Sequence, residues 1–310
     1  MKSKLNLLTI MFCMVILHSC GAQSYDFPSP PSNEGNSDFP SPPGNEDNSN
    51  SLFFIEDFES ASLANSFDSD FYGSMISNPD FNLVNDNMPS SSYAMSYNYQ
   101  QGEDADDGYA TQHFGDSTKT PVYTNSAGTQ FSEIFLQYKV YYSPGFDFSS
   151  KNNKNFIIGT EDGVDHIEAC CNPWVAHYVT LKMGDGYFHA EANNKRGASG
   201  QWVGLMPNEN GYSNSNQYAV ETGRWYRVEA HIILNDMGQE NGVFEQWIDG
   251  VRITSRNDVS YRVPLNGGFG TNFNYGINFL LISNYINNAA TQDQAVHYDD
   301  IEMSTSYIGN

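Results

Sequence analysis

Tyr187-Phe188-His189 sets a phenol and an imidazole two residues apart, and Glu191 continues the alternation. In an extended strand every second side chain shares a face. Tyr187, His189 and Glu191 therefore stand together, with Phe188, Ala190 and Ala192 opposite. Shortly upstream, Tyr178, Thr180 and Lys182 share the polar face of a second alternating segment. Side by side, two such strands offer Tyr, Lys, Tyr, His and Glu on one surface. These are the groups of acid–base chemistry: imidazole and phenol move protons, and an ammonium stabilises charge developing in a transition state. The competing reading is a solvated strand face that takes part in no reaction.

These residues need strands to hold them, and strand signals dominate from Ser51 onward. Ile134, Leu136, Tyr138, Val140 and Tyr142 alternate with Gln137, Lys139 and Tyr141. Tyr226, Val228, Ala230, Ile232 and Leu234 form the apolar face of a second segment, with Arg227, Glu229 and His231 opposite. Arg227 and His231 have two readings, substrate binding or a solvated outer face; Glu229 fits a charge partner for an Arg. Val243–Ile248 and Val251–Thr254 flank Asp249-Gly250, a hairpin signal for a type I′ turn, and Asn241-Gly242 marks another turn. Many strands, Gly/Asn turns and no amphipathic helix make the fold class all-β, a sandwich or barrel.

Charge narrows the partners. The chain has 37 acids against 14 bases, a formal charge of −23. That opposes nucleic acid, which needs a basic stripe, and an anionic membrane surface. The only membrane contact expected is a lipid anchor. Residues 1–20 read as a leader: Lys2 and Lys4 precede an apolar run from Leu5 to Leu17, too short to span a bilayer. Leu17-His18-Ser19-Cys20 resembles a lipobox with Cys20 as the lipidated residue; cleavage after Ala22 is the alternative. Either way the protein is expected to be exported, at the cell envelope (outer membrane) if lipidated and otherwise secreted. Residues 21–50 contain Asp26-Phe27-Pro28-Ser29-Pro30-Pro31 and its repeat from Asp38 to Pro43, a solvated, semi-stiff tether. Residues 51–310 form the folded domain, expected to be monomeric. Cys170 and Cys171 are adjacent, read either as two small buried residues or as a strained vicinal disulfide.

Several segments together resemble the concanavalin A-like lectin/glucanase jelly roll as it occurs in polysaccharide lyases. Phe54-Ile55-Glu56-Asp57-Phe58-Glu59-Ser60 is similar to the first strand of such domains, and the segment from His297 to Gly309 to the last. The stretch from Tyr138 to Phe148 resembles the alginate lyase family numbered fourteen. Trp225-Tyr226-Arg227-Val228-Glu229, Leu234-Asn235, Gly238-Gln239-Glu240-Asn241-Gly242 and Trp247-Ile248-Asp249-Gly250 resemble a pattern shared with glucuronan lyases and heparin lyase-like proteins. The resemblance spans residues 52–309 and implies a β-sandwich jelly roll.

The resemblance implies β-elimination on a uronic acid polymer, alginate being the first expectation. That reaction needs a cation for the C5 carboxylate, a base for the C5 proton and an acid for the leaving O4. In the alginate lyase family an essential Lys follows the Phe-Asp-Phe stretch; Asn152-Asn153-Lys154-Asn155 stands at that place, so the role passes to Lys154. A basic residue on the next strand and a Tyr-x-Tyr pair after it are also characteristic. Here these are Lys182 and Tyr187-Phe188-His189, with Lys for Arg and His for the second Tyr. The expected catalytic set is Lys154, Lys182, Tyr187 and His189, with Tyr178, Lys139, Arg227 and His231 as substrate ligands. Lys139, Lys151, Lys154, Lys182, Lys195 and Arg196 would together form a local basic patch. Two other functions compete on the same fold. One is a non-catalytic carbohydrate-binding domain that stacks Tyr and Trp on sugars. The other is a glycoside hydrolase, for which Asp165 and Glu168 fit an E-x-D-x-x-E pattern, but Gly163 occupies the nucleophile's place. No cofactor is required. Structural calcium at Asp57, Glu59, Asp299 and Asp300 is left open, because surface carboxylates explain these residues equally well.

Overall fold

Alternation at period two lays out the central strands. Glu133–Tyr142 (β5) and Trp225–Ile233 (β10) pair antiparallel, so Val228 faces Tyr138 and Ile232 faces Ile134 on one side of the sheet. Gly242–Ile248 (β11) and Val251–Val259 (β12) form the hairpin that Asp249-Gly250 announces. Both turn residues have positive φ, 50° and 78°, as a type I′ turn requires. β12 runs five residues beyond the expected Thr254, because its polar continuation keeps pairing with β11.

The computed structural model describes residues 52–59, 80–85, 92–103, 109–118, 124–150, 153–161, 175–184, 186–194, 201–204, 218–262, 276–286 and 288–308. The leader with Cys20 and the Pro/Ser/Asn-rich tether lie outside these residues, as do Lys151, Asp165, Glu168, Cys170, Cys171, Lys195 and Arg196.

The remaining strands are Leu52–Glu56 (β1), Phe81–Val84 (β2), Ala94–Tyr99 (β3), Tyr109–His113 (β4) and Asn153–Glu161 (β6). Then come Val175–Gly184 (β7), Tyr187–Asn194 (β8), Gln201–Gly204 (β9), Phe279–Ser283 (β13) and Gln294–Ser304 (β14). They make two sheets. The first has eight strands in the order β12-β11-β10-β5-β14-β3-β2, with β1 also on β14. The second has six in the order β4-β13-β6-β7-β8-β9. Every strand pairing among the described residues is antiparallel, for instance β1 with β14 and β7 with β8. The result is a β-sandwich jelly roll. The opening and closing strands are neighbours, with Phe54 opposite Met303.

The core lies between the sheets. Leu136, Tyr138, Val140, Val228 and Ile232 from the first sheet meet Phe156, Ile158, Val179, Leu181 and Phe188 from the second. Large tyrosines fill much of it, and their hydroxyls need partners once buried. Asn155 supplies several: its amide nitrogen donates to Tyr298 Oη (3.0 Å) and Asn153 Oδ1 (3.1 Å), and its oxygen accepts from Tyr142 Oη (3.0 Å). Burial pushes the Tyr142 and Tyr298 phenols above their ordinary pKa, so both stay neutral hydrogen-bonding groups.

Candidate active site on the outward face of the second sheet

Asn155 does more than satisfy the core. The β6–β7 register shifts between Lys154 and Phe156, which leaves Asn155 as the extra residue of a bulge. Strict alternation would put Lys154 on the same face as Phe156 and Ile158, which are buried in the core. The bulge turns Lys154 outward while Phe156 and Ile158 stay inward.

On that outward face Lys154 pairs with Lys182 across β6 and β7, and Lys182 pairs with His189 across β7 and β8. Three of the four expected catalytic residues therefore form one cross-strand row. At about 4.8 Å between strands the row spans about 10 Å. Tyr187 lies on the same face two residues before His189, about 6.6 Å along the strand. Tyr187 and His189 are both half-buried.

Each member of the row is held. Lys154 Nζ sits 4.5 Å from the centroid of the Tyr285 ring, a cation–π contact, and its backbone N–H donates to the Tyr285 carbonyl (3.1 Å). Lys182 is 7% exposed, and its ammonium pairs with the Glu191 carboxylate. His189 Nε2 is 3.0 Å from the Gly184 carbonyl oxygen. A carbonyl only accepts, so Nε2 carries the hydrogen, and the basic lone pair of the neutral ring is on Nδ1. The adjoining row of the face runs Thr111, Leu281, Ile157, Thr180 and Glu191. Ile157, Leu281 and Phe279 form a small apolar cluster separate from the main core. Thr180 Oγ1 is buried there and has no hydrogen-bond partner among the described residues.

The expected substrate ligands divide differently. Tyr178 lies in β7 beside a register shift at Ile158 and Gly159, and its side chain is outside the described residues. Lys139, Arg227 and His231 lie on the outward face of the first sheet, on the opposite side of the sandwich from the Lys154–Lys182–His189 row. Lys139 pairs with Asp300, and Arg227 Nε is 3.4 Å from Glu229. His231 bridges Glu133 (2.8 Å) and Glu245 (3.2 Å) and stacks on Phe135 at 4.1 Å. These three serve the first sheet's charge network and do not join the row. Each was expected beside the others because each sits on a polar strand face, and periodicity cannot say which sheet a polar face belongs to.

The four candidate calcium ligands each have protein partners. Asp57 accepts the Glu59 N–H, Glu59 accepts those of Ser92 and Tyr93, Asp299 accepts that of Asp300, and Asp300 pairs with Lys139. Among the described residues no three His, Cys, Asp or Glu side chains gather as a metal site.

Two solved structures share this architecture. The endo-β-1,4-glucuronan lyase from the fungus Trichoderma reesei matches with a TM-score of 0.54 at 12% identity, over 82% of this chain and 95% of that one. The marine PL-14 alginate lyase from Aplysia kurodai matches with a TM-score of 0.50 at 14% identity, over 73% and 87%. The β-sandwich jelly roll is the fold these two lyases also have. At such identities the likeness is one of fold, and the chemistry must be argued from the row itself. No protein-family model and no curated protein sequence matches the chain.

Sequence reasoning passed over Asn155, Tyr285 and the Gly184 carbonyl, which set the row's geometry. The signal for Asn155 was an Asn wedged between a Lys and the apolar run Phe156-Ile157-Ile158, a pattern that breaks alternation.

Proposed function

We propose that the protein is a polysaccharide lyase that cleaves a uronic acid-containing polymer by β-elimination. The observation that carries this reading is the register of Lys154, Lys182 and His189 in one row, with Tyr187 on the same face. In the proposed reaction Lys154 and Lys182 hold the C5 carboxylate and stabilise the charge that builds as the α proton leaves. His189 Nδ1 takes the C5 proton. The C4–O4 bond breaks, its electron pair leaves with O4, and the C5–H pair becomes the C4=C5 double bond. Tyr187 donates its phenolic proton to O4 and regains one from solvent. Alginate is the first polymer to try.

The test follows the unsaturated product by ultraviolet absorbance, with alginate, glucuronan and heparin-like polymers as substrates. A rise is expected with at least one. His189→Ala and Lys154→Ala are each expected to lower the rate by about 10²–10⁴ while folding is kept. Wild-type rates in both would refute these roles.

A non-catalytic glycan-binding domain is the second reading, and one observation favours it: the Lys182 ammonium and His189 Nε2 are already engaged, by Glu191 and the Gly184 carbonyl. Glycan pull-down without product absorbance would establish that reading in place of the first.

We further propose export and attachment to the cell envelope through Cys20. Cys20→Ala is expected to shift the protein from the membrane fraction to the soluble one; an unchanged distribution would contradict the anchor.

A further inference from the structure

β13 ends at Ser283, and the chain runs on beside the bulge of β6. Its alternation continues. Ile282 and Ile286 enter the core and Asn284 is buried between them, so Tyr285 turns to the outward face, half-buried. Both flanks are fixed. Asn284 Oδ1 accepts from Tyr298 Oη (3.0 Å), the same phenol that accepts from Asn155 at the bulge (3.0 Å). Ile286 bridges to Asn153, and the Lys154 N–H donates to the Tyr285 carbonyl (3.1 Å). One buried network thus sets the backbone of Lys154 and the backbone that carries the ring beside it. Tyr285 closes the row on the β13 side, at the end away from His189, with the Lys154 ammonium 4.5 Å from its ring centroid.

The geometry points to Tyr285 as a positioning residue of the elimination, whose ring holds the Lys154 ammonium in place for the substrate carboxylate. The inference rests on the lyase reading and deepens it by one residue. A lysine stem is flexible, and ordering it during the reaction costs entropy. A ring face attracts the ammonium through its quadrupole and orders the stem before the substrate arrives. The C5 carboxylate gains charge as the proton leaves, so a misplaced ammonium loses more in the transition state than in the bound ground state. The effect of the ring therefore falls on kcat. The attraction comes from the ring face, which phenylalanine shares.

The experiment compares Tyr285→Leu and Tyr285→Phe with the wild-type protein on alginate, glucuronan and heparin-like polymers. Tyr285→Leu keeps an apolar side chain without the ring, and is expected to lower kcat about fivefold with KM within about twofold. Tyr285→Phe is expected to restore the rate that Tyr285→Leu loses. In a Lys154→Ala background Tyr285→Leu is expected to cost nothing further, because the ring acts through that ammonium. A folded Tyr285→Leu with wild-type kcat would overturn the inference and leave the lyase reading standing. So would a Tyr285→Phe as slow as Tyr285→Leu, or an equal loss that persists without Lys154. A second readout does not depend on turnover. The ring current should move the NMR signal of the Lys154 ε-methylene upfield in the wild type and in Tyr285→Phe, and not in Tyr285→Leu. If Tyr285→Leu does not fold, that signal decides, and an unshifted one in the wild type would overturn the inference. No product from any polymer would overturn the lyase reading, and the kinetic role of Tyr285 with it.

Discussion

Lys182 is nearly buried, and its partner Glu191 is more open, with 22% of its side chain exposed. Burying such a pair returns little net stability, because desolvation offsets the attraction. Lys182→Met keeps the stem packed and leaves a carboxylate that can still reach water. It is expected to cost no more than about 1 kcal/mol in urea denaturation, while lowering elimination by about 10²–10³. Equal losses of stability and rate would mean that Lys182 is structural. On the first sheet, Glu229 and Glu302 flank Gln137 in one row, and burial pushes both carboxyls above the usual carboxylate range. A hydrogen bond from His231 is the main cause that holds Glu245 below it. Glu229→Gln removes a buried charge from that row and is expected to raise stability at neutral pH.

At the scale of elements, the bulge in β6 is the device that makes the site. Asn155 spends its side chain on Tyr142, Tyr298 and Asn153, and the backbone turn this anchors points Lys154 outward. Asn155→Ala takes a partner from Tyr142, Asn153 and Tyr298, of which Tyr298 keeps Asn284, and should cost about 2–4 kcal/mol in denaturant unfolding and depress activity through Lys154. Intact activity in that variant would separate the bulge from the chemistry. Gly250 in the type I′ turn holds φ at 78°, and Gly250→Ala is expected to cost about 1 kcal/mol with the m-value unchanged. β5, β10 and the β11–β12 hairpin were legible in the sequence, because each has a clean period of two and a turn with its own chemistry. The face shared by Lys182, Tyr187 and His189 was legible for the same reason. Lys154 reached the same face only by resemblance, since alternation alone places it inward. The division of Lys139, Arg227 and His231 from the row was not legible. It depends on which strands neighbour which, and that is decided by long-range pairing such as β5 with both β10 and β14.

For the whole molecule, the two classes of carboxylate act in opposite senses. Glu229 and Glu302 bind protons more tightly folded than unfolded, so the stability they give is full below the ordinary carboxylate pKa and is lost as pH rises through their raised values. Glu245 gives stability above the ordinary value and loses it as pH falls through its lowered one. The −23 charge adds repulsion that fades toward the isoelectric point near 4.3. Stability is therefore expected to peak at mildly acid pH, falling on both sides in thermal denaturation across a pH series; a maximum above neutrality would contradict this balance. Among the described residues the row sets two lysines of the second sheet side by side, and the lyase reading puts the uronate there. The most direct measurement is the ultraviolet absorbance of unsaturated product when the purified domain meets uronate polymers, run beside His189→Ala. The expected result is a rise with the wild-type protein that the folded variant loses. No rise with any uronate polymer, from a protein that still binds glycan, would contradict the central claim.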